Sequence, residues 1–192
     1  MIVREKGFRM RFRKSLLFAA TCLAMSTAPL AADTPMGYTQ DGKTLFRIDV
    51  PDFWNVRIGG PRTLTPPGED APREVARVIG LSPEGAEGIW MGFVVPEGIA
   101  SIEEGVDYMR EQGPHLLRDV EISERRSRSI GNRQALTLTG KGRRNGRQVQ
   151  FTAVLIDLPG PRVAFSVTVL ENGFDANVLQ DVNDIYASFR AL

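Results

Sequence analysis

Apolar and polar residues alternate most cleanly between Arg133 and Leu170. Leu136 and Leu138 occupy every second place in one run, and Val149, Phe151, Ala153 and Leu155 do so in the next. A period of two marks strands with one buried face. Asn145-Gly146 joins the runs, a pair suited to the positive φ that a type I′ hairpin needs at both central residues. With Arg144 opposite Arg147, the register follows. Leu138 faces Ala153, Leu136 faces Leu155, Gly140 faces Phe151 and Gly142 faces Val149. A slip of one residue would turn the whole apolar row to the other face. Pro159-Gly160-Pro161 closes a second hairpin, because proline cannot donate to a ladder. A three-residue loop there sets Leu155 against Phe165, Ala153 against Val167 and Phe151 against Val169. The opposite face carries Thr137, Thr139, Gln150, Thr152, Ser166 and Thr168, interrupted by Val154 and Ile156. That interruption predicts partial cover on the second face as well.

The remaining pattern adds strands before this meander and two helices. Asp33 to Lys43 reads as a short polar lead-in (33–43). Phe46, Ile48 and Val50 alternate in a first strand, and Trp54, Val56 and Ile58 in a second. Glu74 to Leu81 is β-branched enough for a third. Ile89 to Val95 is apolar on both faces, which predicts a central strand. Between the second and third strands, Gly59 to Arg73 is aperiodic and long. It reads either as a mobile surface loop or as a lid or partner-contact segment. Ser101 and Glu104 form a capping box ahead of the stripe Ile102, Val106 and Met109, and Gly113-Pro114 predicts the helix stop. Asp119 to Arg128 reads as a fifth strand with Val120 and Ile122 inward. Asp175 is the expected cap of a last helix with stripe Val178, Val182, Ile185 and Phe189. The class is therefore α+β: an antiparallel meander of about seven or eight strands with helices packed on its faces.

Composition changes the picture at the N-terminus. Arg9, Arg11, Arg13 and Lys14 precede an apolar run, Leu16 to Met25, and then small residues ending at Ala31-Ala32. This reads as a secretory signal peptide over 1–32, cleaved after Ala32, and the run is too short to span a bilayer. Met10 offers an alternative start with a more ordinary basic region than Met1. The one cysteine of the chain, Cys22, falls inside this segment, so residues 44–192, read as a single domain, have no disulfide, thiol nucleophile or thiolate metal site. The expected compartment is the bacterial periplasm. The signal segment holds six of the 24 Lys/Arg and one of the 23 Asp/Glu, leaving 18 basic against 22 acidic residues, a net charge of −4. That balance does not favour nucleic acid as a partner.

Candidate chemistry is sparse. His115 is the one histidine, so it is the only imidazole base for a hydrolase working with carboxylates. Its place beside a helix stop equally suits a surface or capping residue. Glu103, Glu104 and Asp107 suit the start of a helix, where negative charge complements the dipole. GKGRRNG (Gly140 to Gly146) lies between two strands, whereas a phosphate loop joins a strand to a helix. No motif calls for a cofactor or a metal. The prominent feature is a basic ribbon: Arg125, Arg126, Arg128, Arg133, Lys141, Arg143, Arg144 and Arg147, eight basic residues with no acidic one among them. Strand ends and a hairpin tip would gather these at one end of the sheet. Such a patch suits phosphates, anionic headgroups or an acidic protein, and it also suits an edge guarded against aggregation.

FRIDVPDFW (Phe46 to Trp54), the helix after the fourth strand, IGNRQALTLTG (Ile130 to Gly140) and IYASF (Ile185 to Phe189) together resemble the PsbP-like fold group. That group includes the PsbP subunit of photosystem II, DcrB-like bacterial envelope proteins and a yeast nuclear-import factor that binds Ran. The resemblance implies an α/β/α sandwich and a non-enzymatic binding or accessory role, with no catalytic residue to carry over. The expected partner is an envelope protein or an anionic surface, met without a transmembrane anchor. The alternatives are a carboxylate/His115-dependent hydrolase and a small-molecule-binding protein. If the signal reading holds, Edman sequencing of the exported protein reads Asp33-Thr34-Pro35, and any other first residue moves the cleavage site.

Overall fold

A computed structural model describes residues 33–60, 62–64 and 73–192. The expected signal peptide, its cleavage site and the choice of start lie outside the described residues, as do 61 and 65–72 of the long loop. The chain divides into Met1–Leu30 and Ala31–Leu192, and the second unit carries the described elements. In order these are β1 (Thr34–Gln40), β2 (Lys43–Val50), β3 (Trp54–Ile58), β4 (Arg62–Leu64), β5 (Arg73–Val75), β6 (Val78–Pro83), β7 (Ile89–Val94) and α1 (Ile102–Leu116). Then follow β8 (Arg118–Ile130), β9 (Arg133–Arg144), β10 (Arg147–Leu158), β11 (Arg162–Glu171), α2 (Val178–Ser188) and β12 (Arg190–Ala191).

The expected class holds. Seven strands form one antiparallel sheet in the order β3-β6-β7-β11-β10-β9-β8. Every pairing that the two turns specify is present, from Leu138 opposite Ala153 to Phe151 opposite Val169. Asn145 and Gly146 sit at φ 52° and 80°, the backbone their hairpin requires. Strand β7 is interior, between β6 and β11, as its two apolar faces predict.

Each face of the sheet has its own core. On one face, Leu136, Leu138, Phe151, Leu155 and Phe165 pack under α1. The helix comes close because Gly105 has no side chain: a Cβ there would stand 2.6 Å from Leu155 Cδ2. Tyr108 meets Phe165 edge-on with ring centroids 5.4 Å apart. On the other face, Val154, Ile156, Leu158 and Phe93 pack against a three-stranded sheet, β1-β2-β12, and against α2. Phe46 is central there, within 4.9 Å of the Phe189 ring, 5.1 Å of Tyr38 and 5.8 Å of Phe93. The interruption at Val154 and Ile156 thus marks the covered part of the second face, while Gln150 on the same face stays exposed.

Several boundaries differ from the pattern reading. The expected lead-in at 33–43 is strand β1, joined to β2 by Asp41-Gly42 at φ 52° and 72°. Its one large buried side chain, Tyr38, donates to the Arg77 carbonyl and accepts from the Val95 amide, so a polar-looking segment is held by one ring. The loop from Gly59 contains a short ladder, β4 with β5, and the expected third strand divides into β5 and β6. Helix α1 runs past Gly113-Pro114 to Leu116: proline removes one donor, but Leu117 N–H still reaches the Gly113 carbonyl at 2.9 Å. Asp175 accepts from the Asn177 amide ahead of α2 instead of capping its first turn. Val120 and Ile122 do not enter the core: they line the α1 side, Ile122 opposite Gly140, but stay half-exposed, and β8 carries bulges between Arg118 and Glu121 and between Ile122 and Glu124. An extra residue resets the alternation of a strand.

Gly140 lets β8 approach at the second bulge. A Cβ there would lie 2.2 Å from the Glu121 carbonyl oxygen and 2.9 Å from the Phe151 ring. Gly140→Ala is expected to cost about 1–3 kcal/mol. Urea unfolding should show a lower midpoint at unchanged slope. An unchanged midpoint would mean that β8 gives way without cost.

Candidate functional site

Strand β8 is where the sequence's most prominent charges meet the fold's most open backbone. Among the described residues it has β9 on one side and no strand on the other. Its residues from Arg118 to Ser129 are exposed. Arg125, Ser127 and Arg128 stand opposite the buried Leu138, Leu136 and Ala135 of β9.

The expected gathering of the basic ribbon at one end of the sheet does not occur. The β8–β9 hairpin is long, and about 3.3 Å of rise per residue puts its two ends about 36 Å apart. Arg125, Arg126 and Arg128 lie opposite Leu138, Thr137 and Ala135, toward the 131–132 turn where Arg133 opens β9. Lys141, Arg143, Arg144 and Arg147 lie at the 145–146 turn. The faces differ too: Arg125 shares the α1 side with Leu138, while Arg126 and Arg128 share the α2 side with Thr137. Five of the eight are engaged by other side chains: Arg126 lies 3.8 Å from Glu124, Arg128 lies over the Tyr186 ring, and three more are held as follows. Arg133 pairs with the Asp157 carboxylate and donates from Nε to its carbonyl at 3.0 Å. Arg147 bonds Glu171 at 2.9 Å, and Arg144 stacks on Trp90 at 5.0 Å.

Two depressions flank β8. On the α2 side, a cleft of about 270 Å³ is lined by Glu124, Arg126, Arg128, Thr137, Thr152 and Tyr186. The Tyr186 hydroxyl lies 3.0 Å from Ser166 Oγ and 3.2 Å from Thr168 Oγ1, with the Arg128 guanidinium 5.6 Å above the ring. Burial pushes the Tyr186 phenol up, while those hydroxyls and Arg128 pull it down; the net direction is up. On the α1 side, an apolar groove of about 780 Å³ runs between the helix and the exposed Val120 and Ile122. It adjoins a polar recess of about 790 Å³ lined by His115, Arg118, Asp119, Arg143 and Arg144.

The candidate acid–base groups are dispersed. His115 is exposed in the last turn of α1. Glu104 accepts from the Ala100 amide at 2.8 Å and so serves the helix start, and Asp107 accepts from Arg110 at 2.7 Å within the helix. Among the described residues no three His, Cys, Asp or Glu side chains are grouped to hold a metal ion. GKGRRNG is a strand–hairpin segment, with no helix after it. The grooves, the Trp90 stack and the Tyr186 hydroxyl network were not read from the pattern. A signal existed for the last: Ser166 and Thr168 on a covered face need a polar partner, and Tyr186 falls in the helix that covers it.

No protein-family model matches the chain, and no curated protein matches it. Solved structures similar to it include a cyanobacterial PsbP, CyanoP of Synechocystis, at 13% identity, covering 91% of this chain and 99% of that one, TM-score 0.48. LpqN of Mycobacterium tuberculosis, described as involved in cell envelope biogenesis, is similar at 14% identity over 82% of this chain and 89% of that one, TM-score 0.45. A Bacteroides thetaiotaomicron protein is similar at 14% identity and TM-score 0.48, over 77% of this chain; the chain spans 45% of its length. These likenesses bring no activity and no partner with them.

Tyr186 gives a test of the α2 side. The unfolded chain's phenol ionises near pH ~10, whereas the folded one keeps its proton to higher pH. Above that pH the unfolded state sheds a proton that the folded state retains, so stability falls as pH rises. Tyr186→Phe should cost about 0.5–1.5 kcal/mol at pH 8 through the lost hydroxyl bonds. Its stability should then decline less steeply than the parent's toward pH 11, as read by urea unfolding at both values. A parallel decline would mean that Tyr186 is not the buried phenol responsible.

Proposed function

We propose that this chain is an exported, non-enzymatic accessory protein of the bacterial envelope, and that it binds an acidic partner through β8. The observation that carries the reading is the β8 edge itself. Its bulges confine regular pairing with β9 to Glu124–Ile130. Over that stretch the outer backbone donors and acceptors face no strand among the described residues. An extended partner segment can add there by main-chain hydrogen bonds. It would meet Arg125 on one face and Arg126 and Arg128 on the other, so acidic residues at successive positions are accommodated on both sides.

Export is supported by the basic, apolar and small-residue order of 1–32. Among the described residues no helix is long and apolar enough to cross a membrane. A binding role is supported by the duties of the carboxylates on His115's own helix: Glu104 closes its cap and Asp107 pairs with Arg110.

The same arginines suit an edge that merely repels other edges, and one experiment separates the two. Crosslinking in the native envelope should capture a partner with the parent protein. Recovery should fall at least about tenfold when Arg125, Arg126 and Arg128 are all replaced by Glu, and the salt dependence of capture should flatten. Unchanged recovery, with new self-association of the variant, would assign β8 a protective role alone.

A further inference from the structure

Three of the large exposed apolar side chains stand together. Leu116, Val120 and Ile122 are 53%, 45% and 49% exposed and all line the groove beside α1. Val106 and Met109 form its helical wall; Leu138 and Phe151 form its floor. Clustered apolar surface of this kind, rimmed by polar residues, marks a binding site. Its volume of about 780 Å³ lies within the range of small-molecule sites.

The groove does not end in solvent alone. It shares Pro114, Leu116, Arg118 and Asp119 with the polar recess of about 790 Å³ at the end of α1. Five arginines line the two lobes: Arg110, Arg118, Arg125, Arg143 and Arg144. Asp119 is the one carboxylate of the lining, and Asp107, outside it, already pairs with Arg110. The charge is concentrated in the recess, where Arg118, Arg143 and Arg144 meet. Arg144 lies over the Trp90 ring, which holds its guanidinium plane and leaves the edge N–H groups to serve an anion.

We propose that this bipartite cavity binds a single-chain phospholipid, with its aliphatic chain in the groove and its phosphate among Arg118, Arg143 and Arg144. The apolar lobe is one channel, so it takes one chain. The head lobe is as large as the tail lobe, and three guanidinium forks offer more donors than the two oxygens of a carboxylate require. A phosphate with its attached polyol uses that space. Arg125 alone is common to this cavity and to the β8 stretch proposed to meet a partner; the variants below leave it in place, so the two readings fail independently.

The test is titration of the purified protein with 1-palmitoyl-lysophosphatidic acid below its critical micelle concentration. Calorimetry and the fluorescence of Trp90 are the readouts, with Trp90→Phe as the optical control. The expected result is saturable one-to-one binding that weakens about fourfold for each methylene removed from the chain. Arg118→Ala with Arg143→Ala should lower affinity at least about tenfold. Val120→Asp with Ile122→Asp should abolish binding without changing the melting temperature, because both side chains are outside the core. Absence of saturation, or binding indifferent to chain length and to both double variants, would overturn the site. Palmitate binding as tightly as the phosphate would overturn the head assignment. A dimer in sedimentation that dissociates in the Val120/Ile122 variant would show that a second copy occupies the groove instead.

Discussion

Strand β10 is buried on both of its faces, and the arrangement of everything else follows from that. Phe151, Ala153 and Leu155 enter one core, while Val154, Ile156 and Leu158 enter the other. A strand removed from water on both sides has no solvent partner for its amides, so it must be paired along both edges. Strands β9 and β11 supply that pairing over almost its whole length. Two apolar faces also need two covers. Helix α1 provides one, held close at Gly105; α2 and the β1-β2-β12 sheet provide the other, centred on Phe46. Each cover is thin, and neither reaches the outermost strands at full width.

That limit explains why the chemistry collects at β8. Covering elements use their apolar surface on the central strands, where burial returns most stabilisation. The edge strand is left to manage its own exposure, and it does so with two bulges, alternating charge and glycines opposite it. Each device has a second consequence. Val120, beside the bulge before Glu121, is left uncovered and becomes a wall of the groove. The glycine at 140 that admits the second bulge also leaves the floor of that groove to Leu138 and Phe151.

The legible part of the fold was the part fixed by local chemistry. Asn145-Gly146 and Pro159-Gly160-Pro161 set turn geometry, turn geometry sets register, and register assigns faces for nearly forty consecutive residues, about the span of three strands. The Ser101–Glu104 cap was legible for the same reason, although Glu104 closes onto the Ala100 amide and not the serine's own. What escaped was decided at a distance. β1 has weak alternation and is a strand because Tyr38 finds Phe46, Arg77 and Val95, residues 8, 39 and 57 positions away. The ribbon's charges were legible as charges, but their placement depends on strand length and bulges. Counting them along the sequence merges two groups that the hairpin holds apart.

The junction between α1 and β8 shows how tightly the open surface is tied to the rigid core. One residue, Leu117, separates the helix from the strand. It is buried, and its amide reaches the Gly113 carbonyl at 2.9 Å. A connection this short leaves no slack, so the helix end and the first bulge are fixed against each other. Arg118 follows at once and therefore has a position set by the core, even though its side chain is exposed. Arg143 stands opposite it across the ladder, and Arg144 is held on Trp90, which packs against the same core. Three long, flexible side chains thus start from backbone that cannot drift. Binding by such a group loses less conformational entropy than binding by arginines on a free loop. The polar recess at the end of α1 is, on this ground, the part of the surface best prepared to hold an anion.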